Sequence, residues 1–124
     1  MGSGKRILVV DDNEDLRTTI QALLQADGFE VAVAGDGQAA LALHQACPAD
    51  VVITDLFMPD KDGIETIVEL RKLSPKLKII AMSGWTSTQG SDYLRVAREI
   101  GAAATLQKPF DPQELSRVVR QLAA

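Results

Sequence analysis

The stretch Ile7-Leu8-Val9-Val10-Asp11-Asp12 decides the fold: four consecutive apolar residues end abruptly in two carboxylates. A short apolar run bounded by polar residues suits a strand covered on both faces. The same pattern recurs along the chain. Val51-Val52-Ile53-Thr54 ends in Asp55, Ile79-Ile80-Ala81-Met82 in Ser83, and Thr105-Leu106-Gln107 in Lys108. Residues 30–34 (Glu-Val-Ala-Val-Ala) add another strand. In a parallel α/β sheet the carboxyl ends of the strands share one edge, and ligands bind where the strand order switches. Three carboxylates, a hydroxyl and an ammonium, spread from Asp11 to Lys108, are therefore expected at one spot.

Helix patterns fill the intervals. Asn13 is placed to cap a helix with Glu14 and Asp15 in its first turn, where the helix dipole favours negative charge. Its apolar stripe is Leu16, Ile20, Leu23 and Leu24, and Gly28 stops it. Gly35-Asp36-Gly37 turns into an Ala/Leu-rich helix that ends near Pro48. Asp60-Lys61-Asp62-Gly63 leads to a helix with Ile64, Ile67 and Val68 on one face, and Pro75 follows its end. The next helix presents Tyr93, Val96, Ala97 and Ile100 before Gly101. The last begins with Asp111 as cap, Pro112 at the first helical position and Glu114 closing a capping box; its face is Leu115, Val118, Val119 and Leu122. Five β–α units with short right-handed crossovers require an α/β fold, a (βα)5 doubly wound five-stranded parallel sheet with helices on both sides.

Composition narrows the function classes. The chain has 124 residues, 46% of them apolar, enough for one well-filled domain. Residues 1–4 read as a flexible lead or an expression scar, and residues 5–124 as the domain. Gly4-Lys5 lacks the upstream Gly and the following Ser/Thr of a P-loop, and Arg6 replaces the Ser/Thr of a myristoylation signal. Net charge is −4 without a basic block, so direct nucleic-acid binding is not expected. The single Cys47 rules out an internal disulfide and suits a reducing compartment. With no leader and no long apolar run, the expectation is a cytoplasmic protein without a membrane anchor.

The chemistry follows from the acidic residues. Two like charges about 5 Å apart repel by roughly 3 kcal/mol at an effective dielectric of 20. Asp11, Asp12 and Asp55 would need a cation among them, and an all-oxygen donor set selects Mg²⁺ before Zn²⁺. Mg²⁺ bound by one or two carboxylates leaves room for phosphate oxygens. Asp55, alone at its strand end, is the candidate nucleophile, and attack on phosphorus would yield an acyl phosphate. Lys108 and the Ser83 hydroxyl supply partners for the remaining phosphoryl oxygens. Each piece alone has a plainer reading: a helix cap, a turn, a solvated Lys before a strand-ending Pro. Their order at compatible strand ends favours the site.

With these residues in view, the sequence resembles the receiver domain of bacterial two-component response regulators. The matching stretches are Ile7 to Asp12, Val52-Ile53-Thr54-Asp55-Leu56-Phe57-Met58-Pro59, Asp62-Gly63, Ser83-Gly84 and Lys108-Pro109-Phe110, and the likeness covers residues 5 to about 122. The resemblance implies a flavodoxin-like, CheY-like fold with strand order 2-1-3-4-5 and a cis Lys108-Pro109 bond. It implies that Asp55 takes phosphate from a histidine kinase or histidine phosphotransfer protein, and that the phosphorylated domain acts on a downstream protein target. Asp11, Asp12, Asp55 and the Phe57 main-chain carbonyl would hold Mg²⁺, Asp12 directly and Asp11 through water. Lys108 and Ser83 would bind the phosphoryl group. Catalysis would extend only to the domain's own phosphoryl transfer and dephosphorylation, and phosphorylation would shift the population toward a form with a remodelled interaction face.

Three departures stand out. Thr105 occupies the position three before Lys108 where that family carries Tyr or Phe, so the coupled hydroxyl–aromatic movement cannot work in its usual form. The stretch 84–92 is longer than the family norm, and Trp85 within it is a candidate to replace the missing aromatic. Phe57 places an apolar group at the mouth of the site and would slow water attack. Arg95 and Arg98 lie on the face that receivers use for partners; their plainer reading is a solvated helix face. His44 is expected on the surface and Cys47 as a small hydrophobe near a helix end.

Other classes fit less well. A phosphotransferase acting on small molecules would want a second Asp two residues after the nucleophile, where Phe57 stands. A flavodoxin-type cofactor binder would not place Asp11-Asp12-Asn13-Glu14 in its phosphate loop. A receiver that no longer takes phosphate would have lost an acid or the Lys. The chain closes within two residues of its last helix stripe, which suits a free-standing receiver and also a receiver from a DNA-binding regulator or hybrid kinase; the reading leans to the first. The sequence leaves open whether the domain dimerises on phosphorylation, as some members of that family do through the fourth and fifth strands and helices.

Overall fold

Strand β1 (Arg6–Val10) forms the hinge of one parallel sheet, with β2 (Glu30–Ala34) on one side and β3 (Val51–Asp55), β4 (Lys78–Ser83) and β5 (Ala104–Gln107) following on the other. The order is β2-β1-β3-β4-β5, as the resemblance implied. These elements come from a computed structural model that describes residues 4–56, 63–84 and 95–123. The helices are α1 (Glu14–Ala26), α2 (Gly37–Ala46), α3 (Gly63–Leu73), α4, described over 95–99, and α5 (Pro112–Ala123).

Side chains alternate across a strand, so β1 feeds two cores. Ile7 and Val9 join Val51, Ile53, Ile80, Met82 and Leu106 beneath α1 and α5, whose Ile20, Leu24, Leu115 and Val119 close that face. Leu8 and Val10 join Val52, Ile79 and Ala81 on the other face, under Ala40, Ile67, Leu70 and Ala97 of α2, α3 and α4. All of β3 is buried, which is why its apolar run shows no polar alternation.

The predicted helix signals at Asn13, Gly28, Asp111 and Pro112 act as read. Asn13 caps α1 by accepting from the Leu16 N–H at 3.1 Å. Gly28, at φ 94°, ends it with paired bonds from the Gly28 N–H to the Gln25 carbonyl and the Phe29 N–H to the Leu24 carbonyl. Asp36 caps α2 through the Ala39 N–H, and the Asp111 carboxylate accepts from the Gln113 N–H at the start of α5. The inner face of α3 centres on Gly63, Thr66, Ile67 and Leu70, with Ile64 and Val68 only half-buried. Leu70, absent from the predicted stripe, completes that face. Tyr93 and the Asp60–Asp62 cluster lie outside the described residues.

His44 corrects the sequence reading. It is 2% exposed, not a surface residue. Its Nδ1 accepts from the Ala49 N–H at 3.0 Å, and Nε2 lies 2.8 Å from the Ser74 hydroxyl. The ring thus fastens the end of α2 to the loop before β3 and to the chain just after α3. Cys47 does sit at the helix end, as its C-cap, but exposed.

Candidate functional site

The strands deliver the candidate residues in register because main-chain pairing continues to the sheet edge. The Asp11 N–H donates to the Ala34 carbonyl at 3.1 Å, the Leu56 N–H to the Met82 carbonyl at 2.9 Å, and the Lys108 N–H to the Ser83 carbonyl at 2.7 Å. The strand order switches between β1 and β3, and there a crevice opens beyond the carboxyl ends. The Lys108-Pro109 peptide is cis.

Three carboxylates meet in that crevice. Asp11, Asp12 and Asp55 each bring an oxygen within 4.8 Å of the others. Asp11 is fully buried and Asp55 is 5% exposed, whereas Asp12 faces solvent. The Lys108 ammonium donates to Asp11 Oδ2 at 2.7 Å and lies 3.4 Å from Asp55 Oδ2. The other Asp11 oxygen accepts from the Asn13 N–H at 2.9 Å. Both Asp11 oxygens are thus engaged, and the buried charge has the partners that burial demands.

The donor set fits a hard divalent cation. It is all oxygen, it contains no thiolate, and no imidazole belongs to it. One ammonium cannot neutralise three carboxylates at this spacing, so a net negative charge is left for a cation to balance.

Among the described residues, the Ser83 hydroxyl, buried at the end of β4, makes only a long contact of 3.4 Å to the Gly84 carbonyl. Thr105 is half-buried on β5, paired in register with Ala81. Arg95 and Arg98 are exposed on α4. Phe57 and Trp85 lie outside the described residues.

Sequence reasoning missed two neighbours. Gly63 opens α3 against the end of β3: a Cβ there would stand 2.2 Å from the Asp55 carbonyl oxygen and 2.5 Å from Leu56 Cα. Its N–H donates to the Leu56 carbonyl at 3.1 Å. The Asp-Gly turn pattern flagged the position, but not the close approach. The second is a cleft of about 510 Å³ between α1 and α5, opening beside Asn13 and Lys108 and lined by Leu16, Ile20, Pro109, Phe110 and Leu115. Leu16, Ile20 and Leu115 read in sequence as ordinary core stripes. Among the described residues no helix is long and apolar enough to cross a membrane.

Comparison with known proteins agrees with this geometry. The family model described as response regulator receiver domain matches residues 7–120. The chain is 38% identical over 118 residues to the transcriptional regulatory protein CpxR of Klebsiella pneumoniae, covering 94% of this chain and 48% of that protein. It is 32% identical to the alkaline phosphatase synthesis transcriptional regulatory protein PhoP of Bacillus subtilis, covering 95% and 48%. The chain thus spans about half the length of these relatives. Among solved structures, a response regulator receiver domain from Clostridium thermocellum superposes with a TM-score of 0.88 at 31% identity, covering 96% of this chain and 94% of that one. The chemotaxis protein CheY4 of Vibrio cholerae gives 0.85 at 31% identity, covering 96% and 98%.

Proposed function

Because this chain belongs to the response regulator receiver domain family of two-component signalling, we propose that its switch is the reversible phosphorylation of Asp55. The observation that carries the reading is the convergence of Asp11, Asp12, Asp55 and Lys108 at the switch point of the sheet. An Asp55 carboxylate oxygen attacks phosphorus, the P–N bond of a donor phosphohistidine breaks, and the imidazole leaves with the electron pair. The product is an aspartyl phosphate, which water later hydrolyses to return the carboxylate and inorganic phosphate.

Asp12 and Asp55, with the Phe57 main-chain carbonyl, would hold Mg²⁺, and Asp11, whose oxygens are already engaged, would act through water. When bound, the ion supplies positive charge to a phosphoryl oxygen. Lys108 exchanges part of its contact with Asp11 and Asp55 for a second phosphoryl oxygen, and the Ser83 hydroxyl donates to a third. These contacts exist only in the phosphorylated form, so they shift the population toward it. Ser83, Thr105, Trp85, Arg95 and Arg98 carry the change to the face read by a downstream protein. The phosphodonor, a histidine kinase or phosphotransfer protein, docks in the apolar cleft beside Lys108.

The test is mass spectrometry after treatment with acetyl phosphate and Mg²⁺. A single phosphoryl adduct, absent without Mg²⁺ and absent in Asp55→Asn, is expected. No adduct on the wild type, or an undiminished adduct on the variant, overturns the assignment. A second reading, that the switch governs a DNA-binding segment of a longer regulator, is favoured by the length of the relatives. Detection of the native polypeptide at a mass well above 13.3 kDa would support it.

A further inference from the structure

Arg17 lies on α1, one turn into the helix, and is half-buried. Its Nη1 donates to the main-chain carbonyl of Asp11 at 2.9 Å. That carbonyl belongs to the peptide joining Asp11 to Asp12, so this bond fixes the plane from which the Asp12 side chain departs. Asp11 needs no such help: its N–H is paired to Ala34, and its carboxylate is held by Lys108 and the Asn13 N–H. Asp12 is exposed, and no hydrogen bond or ion pair of its side chain is seen among the described residues. Among the described residues, its direction is therefore set by the backbone.

Gly35 marks the same feature from the opposite side. It does not adopt the left-handed conformation that would favour glycine. A Cβ at that position would meet only the Arg17 guanidinium, with Nη1 at 3.1 Å. The missing side chain leaves space, and Arg17 fills it. A planar guanidinium seated between the end of β1 and the turn after β2 is a more rigid support than a flexible ammonium would be.

We infer that Arg17, seated against Gly35, is the positioning residue of the cation site: it orients the Asp11–Asp12 peptide so that Asp12 points at the metal. This rests on the proposed Mg²⁺ site. It also separates two effects of opposite sign. As a mere nearby cation, Arg17 would weaken Mg²⁺ binding, and its removal would tighten it. As a support for Asp12, its removal loosens binding, and outer-shell partners of this kind typically contribute about 10–100-fold to metal affinity.

The experiment is calorimetric Mg²⁺ titration of the full chain at a temperature where every variant, checked by circular dichroism in EDTA, is folded. Arg17→Met is expected to weaken Mg²⁺ binding about tenfold or more, with Arg17→Lys between it and the wild type. Gly35→Ala, which pushes the guanidinium tip by a few tenths of an ångström, is expected to weaken binding by a smaller factor in the wild type and by none in the Arg17→Met background. Tighter or unchanged binding in Arg17→Met overturns the inference, as does an equal Gly35→Ala effect in both backgrounds. Failure of the wild type to bind Mg²⁺ overturns the proposed metal site itself.

Discussion

Among the described residues, Lys108 and Asp11 form the tightest ion pair of the site, 2.7 Å from Nζ to Oδ2, with the carboxylate fully buried and the lysine side chain 21% exposed. The pair holds the site together, because the same ammonium also faces Asp55 at 3.4 Å. Removing it leaves buried negative charges without their cation, a change that costs more than the pair itself contributes. Lys108→Met is expected to lower stability in EDTA by about 1–3 kcal/mol, a figure reduced for the partial exposure of the lysine. Saturating Mg²⁺ should recover most of that loss. Urea unfolding with and without Mg²⁺ checks this, and an equal Mg²⁺ increment in both proteins would sink it.

Asp12 carries the opposite sign. It lies within 4.8 Å of two other carboxylates but is exposed, so solvent screens much of the repulsion. Asp12→Asn is expected to stabilise the metal-free protein by about 1 kcal/mol and to abolish most of the stabilisation by Mg²⁺. A variant destabilised in EDTA would show that Asp12 is held by attractive contacts instead.

The strand ends were legible because polar residues there interrupt buried apolar runs, and Asp11, Asp55, Ser83 and Lys108 announced themselves in that way. The caps at Asn13 and Asp111 were legible because capping is local chemistry, whereas Asp36 read only as part of a turn. His44 was not: its partners Ala49 and Ser74 are joined by packing of α2 against α3, and Ser74 lies 30 residues away. An Ala-rich helix gives no sign of which polar residue turns inward. Arg17 and Gly35 were illegible for the same reason, since their contact spans two β–α units. The fold needed only local periodicity, whereas these tertiary contacts needed the assembled sheet.

The apolar cleft beside the site predicts a split between phosphodonors. Leu16 and Phe110 line it, and neither belongs to the carboxylate cluster. Leu16→Asp and Phe110→Ala are each expected to slow transfer from a phosphohistidine protein by about tenfold, equivalent to 1.4 kcal/mol of docking energy. Phosphorylation by acetyl phosphate should stay within about twofold of wild type. Equal slowing with both donors would move these residues from docking to the integrity of the site.

Gly63 predicts intolerance of the smallest substitution. A methyl group there would overlap the Asp55 carbonyl and the Leu56 backbone, which cannot swing aside as a flexible side chain does. Gly63→Ala would ordinarily favour a helix by up to about 1 kcal/mol. Here it is expected to destabilise by about 1–3 kcal/mol or more and to slow Asp55 phosphorylation, because the end of β3 must move. Wild-type stability and phosphorylation in the variant would refute the close approach.

His44 predicts a pH dependence remote from the carboxylate cluster. Nδ1 accepts from the Ala49 N–H, so the ring is neutral with its proton on Nε2, which donates to Ser74. A second proton would have to occupy the nitrogen that faces an N–H donor. Burial also disfavours the charged ring and lowers its pKa below the ordinary 6.5. The unfolded chain thus binds a proton near pH 6.5 that the folded chain resists, so folding stability from this group is complete above that pH and declines as pH falls toward the folded value. His44→Phe, which leaves the Ala49 N–H unpaired, is expected to cost about 1–3 kcal/mol at neutral pH. Because the variant lacks the titrating group, the difference from wild type should narrow between about pH 7.5 and 5.5. Urea unfolding of both proteins across that range measures it, and a constant difference would mean that His44 titrates alike in the folded and unfolded chains.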